Sequence, residues 1–366
     1  MMELIYNNKK NISEILEKSR NFKWEQTIDQ NKSVLIKGDN FKGLSFLIAQ
    51  GYAGKIDLIY IDPPFNTNQV FRISENRCQT ISTKKNGTIA YCDKFEIEEY
   101  LEFLRERMIL LYQLISDKGS LYFHIDTKMG HYCKILLDEI FGRKNFRNDI
   151  TRIKSNPKNF SRKAYGNEKD IILFYTKSNN NIWNNITEPL SANEQIKRYK
   201  KQDEKGFYTT IPLHAPGETE NGATGRAWRG KYPPEGRHWR TTPEEFDKLD
   251  AQGLIEWSAT GNPRIKKYAN EHKGKKIQDV WTFKDPQDPI YPTEKNEALL
   301  HQIIRQSSNE SSVVLDCFAG SGTTLAAAEF LHRKWIGIDN SEEAFKTITT
   351  RLNKSVFELY DLEKNN

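Results

Sequence analysis

A carboxylate followed at once by two prolines and an aromatic ring, Asp62-Pro63-Pro64-Phe65, is the stretch of this sequence best suited to chemistry. It follows Ile56-Asp57-Leu58-Ile59-Tyr60-Ile61, a short apolar run rich in β-forming residues that predicts a strand. Two consecutive residues without an amide donor cannot continue a central ladder, so the prolines predict a rigid turn just past the strand's carboxyl end. In an open α/β sheet, that edge is where ligands bind. The amino group of adenine or cytosine is a poor nucleophile because its lone pair is delocalised into the ring. Two acceptors aimed at its hydrogens, the Asp62 carboxylate and the Pro63 carbonyl, would draw the nitrogen toward tetrahedral geometry and free that pair for attack on a methyl donor. Phe65 could stack on a base turned out of its duplex. In isolation the same residues also suit a plain turn after a strand.

A second stretch supplies the context. Val313-Val314-Leu315-Asp316-Cys317-Phe318-Ala319-Gly320-Ser321-Gly322-Thr323-Thr324 reads as a buried strand running into a Gly-Ser-Gly turn, with Thr323 or Thr324 opening a helix. Glycines let the backbone pass close to a bound cofactor. Trp335-Ile336-Gly337-Ile338-Asp339 predicts another strand, ending about 20 positions after the glycines in an acid placed to accept hydrogen bonds from ribose hydroxyls. A dinucleotide fingerprint would need a third glycine where Leu325 stands, and the Gly-Lys-Ser/Thr ending of a P-loop is absent. A cofactor without a pyrophosphate needs neither. S-adenosylmethionine is such a cofactor, and its sulfonium carries an activated methyl group.

The elements around these stretches alternate. Asn11 and Glu14 predict a capped helix from Ile12 to about Arg20, in a first segment, 1–30, that reads as peripheral. Ser33–Lys37 predicts a strand, Gly38-Asp39-Asn40 a turn, and Phe41–Ala49 a helix, which with the following strand makes a βαβ unit with parallel strands. Asn66–Asp93 is polar and without period, which predicts a loop beside the site. Glu96–Ser116 predicts a long amphipathic helix, Ser120–Ile125 a strand, and Met129–Phe141 another helix. His124 and Asp126 at the strand end suit a structural or DNA-positioning role. The expected fold is α/β, a doubly wound and mostly parallel sheet, with residues 31–145 as its catalytic half and 288–366 as its cofactor half.

Residues 146–287 form the expected insertion. From Phe146 to Asp285 there are 26 Lys and Arg against 18 Asp and Glu, so the chain's net charge of +6 comes from its middle. Trp228, Arg229, Lys231, Tyr232, Arg237, His238, Trp239 and Arg240 crowd together there, a mixture that grips phosphates and stacks on bases. A polyanionic partner is the natural expectation. No apolar run approaches the length of a membrane span and the first residues lack a signal-peptide pattern, so a cytoplasmic protein with no membrane partner is expected. The four cysteines show no paired short spacing, which predicts reduced thiols and no metal site.

Asp62 to Phe65 followed, after the recognition region, by Phe318 to Gly322 resembles the DNA amino-methyltransferases of restriction-modification systems in their beta arrangement. Gly38-Asp39-Asn40 and Tyr291-Pro292-Thr293-Glu294-Lys295 look like further elements of that family, and the likeness is close to the modification subunits of type III systems. The resemblance implies that Asp62, Pro63 and Phe65, with Pro64 between them, hold the target base. It implies that Asp39, Asp316, Phe318, Gly320, Ser321, Gly322, Thr323 and Asp339 line the S-adenosylmethionine pocket, with Thr293 and Lys295 beside them. Phe65 stands where many members have tyrosine, so stacking is retained and a hydroxyl contact is not. An aspartate at the first position favours adenine N6, since members acting on cytosine N4 more often begin with serine. Double-stranded DNA is the implied partner, and a homodimer and a cognate restriction endonuclease are expectations of the family alone. A cytosine N4 or RNA methyltransferase, a non-catalytic DNA-recognition subunit and a nicotinamide oxidoreductase are the alternatives that the residues leave open.

Overall fold

The computed structural model describes residues 3–363 apart from 66–68, 75–76, 80–87, 94–95, 158–162, 220 and 292–293. Two compact units emerge, one of Met1–Ile186 with Gln278–Asn366, the other of Thr187–Ile277.

The first unit is built on a nine-stranded sheet. Its strands are β1 (Ser33–Lys37), β2 (Ile56–Ile61), β3 (Ile115–Ile125), β4 (Phe146–Ile153), β5 (Lys169–Thr176), β6 (Val280–Thr282), β7 (Val313–Asp316), β8 (Lys334–Asp339) and β9 (Phe357–Asp361), in the order β6-β4-β5-β3-β2-β7-β8-β1-β9. β5 runs against both neighbours, and the other pairings are parallel. Its helices are α1 (Ile12–Arg20), α2 (Asn40–Leu47), α3 (Ile97–Leu114), α4 (Gly130–Leu137), α5 (Glu297–Ser307), α6 (Thr323–Phe330) and α7 (Glu342–Arg351).

Strands buried on both faces must be apolar throughout, and alternate residues serve opposite faces. Val34, Ile36, Ile59, Ile61, Leu121, Phe123, Leu315 and Ile336 join one core with α1 to α4. Tyr122, of the opposite parity, meets Ser307 of α5 hydroxyl to hydroxyl at 2.8 Å. α5 and α6 pack on each other over that second face. Helices on both faces make the sheet doubly wound.

Three expectations differ from what is found. The first thirty residues are part of the core, because Ile15 is fully buried and the Tyr6 hydroxyl donates to Glu102 of α3 at 2.5 Å. Within Asn66–Asp93 the segments Gln69–Ser74, Arg77–Gln79 and Thr88–Asp93 pair as an antiparallel sheet. Those strands are short and rich in polar residues, so no apolar alternation announces them. The second unit is also narrower than 146–287, since β4, β5 and β6 belong to the large sheet.

Thr187–Ile277 has its own four-stranded antiparallel sheet, with Gly206–Pro212 and Pro263–Tyr268 at its centre, and a helix Pro243–Ala251. Its core gathers Leu213, Trp228, Trp239, Phe246, Ile255 and Ile265. Among the described residues no helix is long and apolar enough to cross a membrane.

Truncating Ile15 to alanine empties a buried site, so Ile15→Ala should lower the unfolding free energy of the first unit by roughly 2–4 kcal/mol in a urea titration. A loss well under about 1 kcal/mol would mark α1 as an ornament.

Candidate active site

β2 and β7 lie side by side and parallel, with Leu58 opposite Val314 and Ile59 opposite Leu315. From β2 the sheet continues to β3 on one side; from β7 it continues to β8 on the other. Crevices at the carboxyl ends of strands form where the order reverses in this way. Asp62 and the Phe318–Gly322 turn therefore leave neighbouring strand tips, on strands about 4.8 Å apart.

At the first tip, Asp62 is largely buried and its two oxygens have different surroundings. Oδ2 forms an ion pair with Lys295. Oδ1 is buried and accepts no hydrogen bond among the described residues. Nδ1 of the fully buried His124 lies 3.7 Å away. Such an orphaned acceptor costs free energy unless a ligand supplies the donor. The Lys295 ammonium also lies 5.3 Å from the centroid of Phe65, whose ring sits 6.0 Å from that of His124. Of the two prolines, Pro64 has its carbonyl held by the Tyr100 hydroxyl, and no hydrogen bond reaches the Pro63 carbonyl among the described residues. Asp126 is separate from this group: its Oδ1 accepts from the amides of Lys128 and Met129 at 3.1 and 3.0 Å, fixing the approach to α4.

At the second tip, Gly320 and Gly322 have φ of +48° and +73°, and a Cβ on Gly322 would come within 2.8 Å of Ile348 Cγ1. No other residue fits there without displacing α7. The Gly320 amide donates to Asp339 Oδ2 at 2.8 Å and the Ser341 amide to Oδ1 at 2.9 Å. Burial raises the Asp339 carboxyl above its ordinary value. With the Asn340 amide as a third backbone donor, the carboxylate keeps one of its four lone-pair positions for a hydroxyl. Asp316 is fully buried and pushed up to about 7 by burial, with the charges of Asp62 and Asp339 adding to the rise; its Oδ1 accepts from the Phe318 amide at 3.0 Å. Ser321 and Thr323 bond to each other at 2.8 Å, and Arg351 of α7 donates to the Ser321 carbonyl and the Thr323 hydroxyl at 2.9 and 3.0 Å. Their side chains thus stiffen the turn. Phe318 meets Phe103 edge to face at 6.2 Å.

Asp39 caps α2 through the Lys42 amide and pairs with Arg107 at 3.0 Å. Arg107 also donates to Asn40, which in turn donates to the Cys317 carbonyl at 3.1 Å. That chain ties the Asp39 turn to the glycine turn. Beside it an open hollow of about 840 Å³ is bordered by Asp39, Phe41, Phe103 and Arg107.

The segment Tyr291–Lys295 touches both tips. Tyr291 packs beside Gly320, Glu294 pairs with Arg351, and Lys295 reaches Asp62. Thr293 lies outside the described residues. Lys295, expected at the cofactor pocket, is found on the carboxylate of the first tip.

In the second unit the aromatic and basic cluster divides. Trp228 and Trp239 are core residues whose indole nitrogens donate to Asp247 and to the Arg226 carbonyl at 2.9 and 2.8 Å, so neither is free to stack on a base. Arg229 is paired with Asp250 at 2.8 Å. The exposed rings are Phe207, Tyr232 and Trp257.

The family model of the N6/N4 DNA methylases matches residues 56–350, most of the chain and both strand tips. The chain belongs to the N6/N4 DNA methylase family. It is 42% identical over 322 residues to the type II methyltransferase M.EcaI of Enterobacter cloacae, covering 86% of this chain and 68% of that protein. It is 27% identical to the StyLTI Mod subunit of Salmonella typhimurium, with 84% of this chain and 52% of that protein covered. The type II methyltransferase M.KpnI of Klebsiella pneumoniae is 24% identical, with 87% and 83% covered. The chain therefore spans about half the length of the type III Mod subunit it matches.

As a DNA methyltransferase the protein uses S-adenosylmethionine. The residues present fit that group: two left-handed glycines clear space at a helix start, and acids at the strand tips suit ribose hydroxyls and a sulfonium. Arg107, on the Asp39 side of the turn, is committed to Asp39 and Asn40.

Sequence reasoning did not find Tyr100, Arg107 or Arg351 as supports of the site. Tyr100 and Arg107 read as ordinary members of a long amphipathic helix and Arg351 as a surface charge, since their partners lie far away in the chain.

Asp316 has a folded-state value above its unfolded one, so its contribution to stability is complete below about pH 4 and is lost as pH rises through about 7. Asp316→Asn cannot ionise. Relative to the wild type, its apo stability should rise as pH is raised across that window, by no more than about 4 kcal/mol in all. Urea titrations at several pH values check the slope; a difference independent of pH would contradict the assignment.

Proposed function

We propose that this methyltransferase modifies adenine at N6 in a specific sequence of double-stranded DNA, with the base turned out of the duplex into the cleft at the β2 and β7 tips. The observation that carries the reading is the buried, unpaired Oδ1 of Asp62 beside the tip that bears the glycine turn. S-adenosylmethionine, when bound, supplies a methyl group already activated on sulfur. Asp62 Oδ1 accepts one hydrogen of the exocyclic amine and the Pro63 carbonyl the other, which localises the nitrogen lone pair. Phe65 covers one face of the base. Lys295 holds Oδ2, so the carboxylate offers a single oxygen in a fixed direction. As the new bond forms the amine gives up a proton, and Asp62 Oδ1 is the acceptor within reach.

An aspartate at the head of the motif supports adenine over cytosine N4. Thr187–Ile277, with 17 Lys and Arg against 13 Asp and Glu and with Phe207, Tyr232 and Trp257 exposed, supports sequence reading by the second unit. The enzyme would act in the cytoplasm, as a homodimer and beside a cognate restriction endonuclease, a reading supported by its restriction-modification relatives.

DNA from a methylation-deficient host expressing the chain should yield N6-methyladenine on nucleoside mass spectrometry; N4-methylcytosine in its place would overturn the base assignment. Asp62→Ala should abolish transfer while S-adenosylmethionine still binds in calorimetry. Turnover in that variant would remove Asp62 from the mechanism. Asp339→Ala should weaken cofactor binding more than DNA binding, and equal losses of both would count against its assignment.

A further inference from the structure

We infer that His124 is a positioning residue that withholds its proton from Asp62, keeping one carboxylate oxygen open for the substrate amine; this rests on the proposed role of Asp62. The ring lies at the carboxyl end of β3 with no exposed surface. Three groups address its nitrogens. The Tyr60 hydroxyl is 2.8 Å from Nδ1, Asp62 Oδ1 is 3.7 Å from the same nitrogen, and Asp170 Oδ2 is 3.4 Å from Nε2.

The charge of Asp170 favours hydrogen on the nitrogen that faces it, although Nε2 makes no hydrogen bond among the described residues. Its Oδ1 accepts from Lys154 Nζ at 2.5 Å, and Arg152 Nη1 stands 3.5 Å from Oδ2. Burial alone would raise this carboxyl, but His124 and Lys154 together hold it well below the usual carboxylate range. An anion facing Nε2 favours the tautomer with hydrogen on Nε2, although 3.4 Å is longer than a good hydrogen bond. Nδ1 then bears a lone pair, and the Tyr60 hydroxyl donates to it.

At 3.7 Å Nδ1 stands outside hydrogen-bond reach of Oδ1, and a neutral ring in this tautomer has no hydrogen there to give it. Movement of the proton to Nδ1, or double protonation, would put a donor between the Tyr60 hydroxyl at 2.8 Å and Oδ1 at 3.7 Å, where a small shift of the ring lets it compete with the amine. Burial, and the Lys295 charge beyond it, oppose the imidazolium, while Asp62 and Asp170 favour it; the ring sits below its ordinary value. The charged groups around the ring thus come from β2 (Asp62), β4 (Arg152), the segment after it (Lys154), β5 (Asp170) and the segment before α5 (Lys295). Tyr60 adds a neutral hydroxyl.

The test begins with the wild-type protein labelled with ¹⁵N-histidine. Long-range proton-nitrogen spectra near neutral pH should show His124 with a bare Nδ1 and a protonated Nε2, the signals assigned by their loss in His124→Gln. Hydrogen on Nδ1 would overturn the inference, and this measurement does not depend on any variant at Asp170 folding. Tyr60→Phe removes the hydroxyl from Nδ1 and should move the acid limb of kcat upward by about half a pH unit or more. Asp170→Asn frees the tautomer and should lower kcat roughly tenfold or more, with cofactor affinity held within about twofold. A variant pair that keeps both the wild-type kcat and acid limb, while Asp62→Ala is inactive, overturns the role of His124 alone. Turnover in Asp62→Ala overturns the reading of Asp62 beneath it.

Discussion

The site depends on one parallel pairing, that of β2 with β7. The two strands are far apart in the chain, and no local interaction brings them together. What does is burial on both faces: each is apolar apart from one aspartate, Asp57 in β2 and Asp316 at the end of β7, and the middle of a doubly wound sheet is the place where such strands satisfy every backbone group and cover both sides. Once they are adjacent, the proline-stiffened end of one and the glycine turn of the other must face each other across a strand spacing. The two tips need no hinge to meet.

Around that pairing, polar contacts convert nearness into orientation. Arg351 and Glu294 fasten the turn of glycines to the segment that carries Lys295, and Lys295 fastens that segment to Asp62. Asn40 and Arg107 perform the same service for the Asp39 turn. Most of these groups are half-buried or deeper, where an unpaired partner is expensive, so each link holds because breaking it strands a charge. The carboxylate at the centre is the exception, with one oxygen secured and the other left without a donor.

Much of this was legible before any coordinates. The strands at Ser33–Lys37 and Ile56–Ile61, the capped helix from Ile12, and the glycine turn ahead of α6 all follow from patterns a few residues long. Asp62, Phe318, Gly320 and Asp339 were placed at strand ends from the same patterns, and the sheet brings those ends together. What failed was whatever depended on distant partners. Trp228 and Trp239 look like base-stacking residues beside their arginines, yet a core supplied by Phe246 and Ile265 claims them. The first segment looks peripheral because its contacts are with α3, a long way down the chain. Arg351 gives no sign in the sequence that it belongs to the active site.

The strand order also says something about how the molecule is made. β2 pairs with β3 soon after both are synthesised, but its other edge is claimed by β7, which is encoded near the far end. During translation that edge presents a row of unpaired amides and carbonyls, flanked by buried apolar side chains, for most of the time the chain takes to emerge. β1 waits as well, since both of its neighbours, β8 and β9, come later still. A nascent polypeptide of this design holds half a sheet open until β7, β8 and β9 arrive, so its exposure to misassembly lasts until those strands are made.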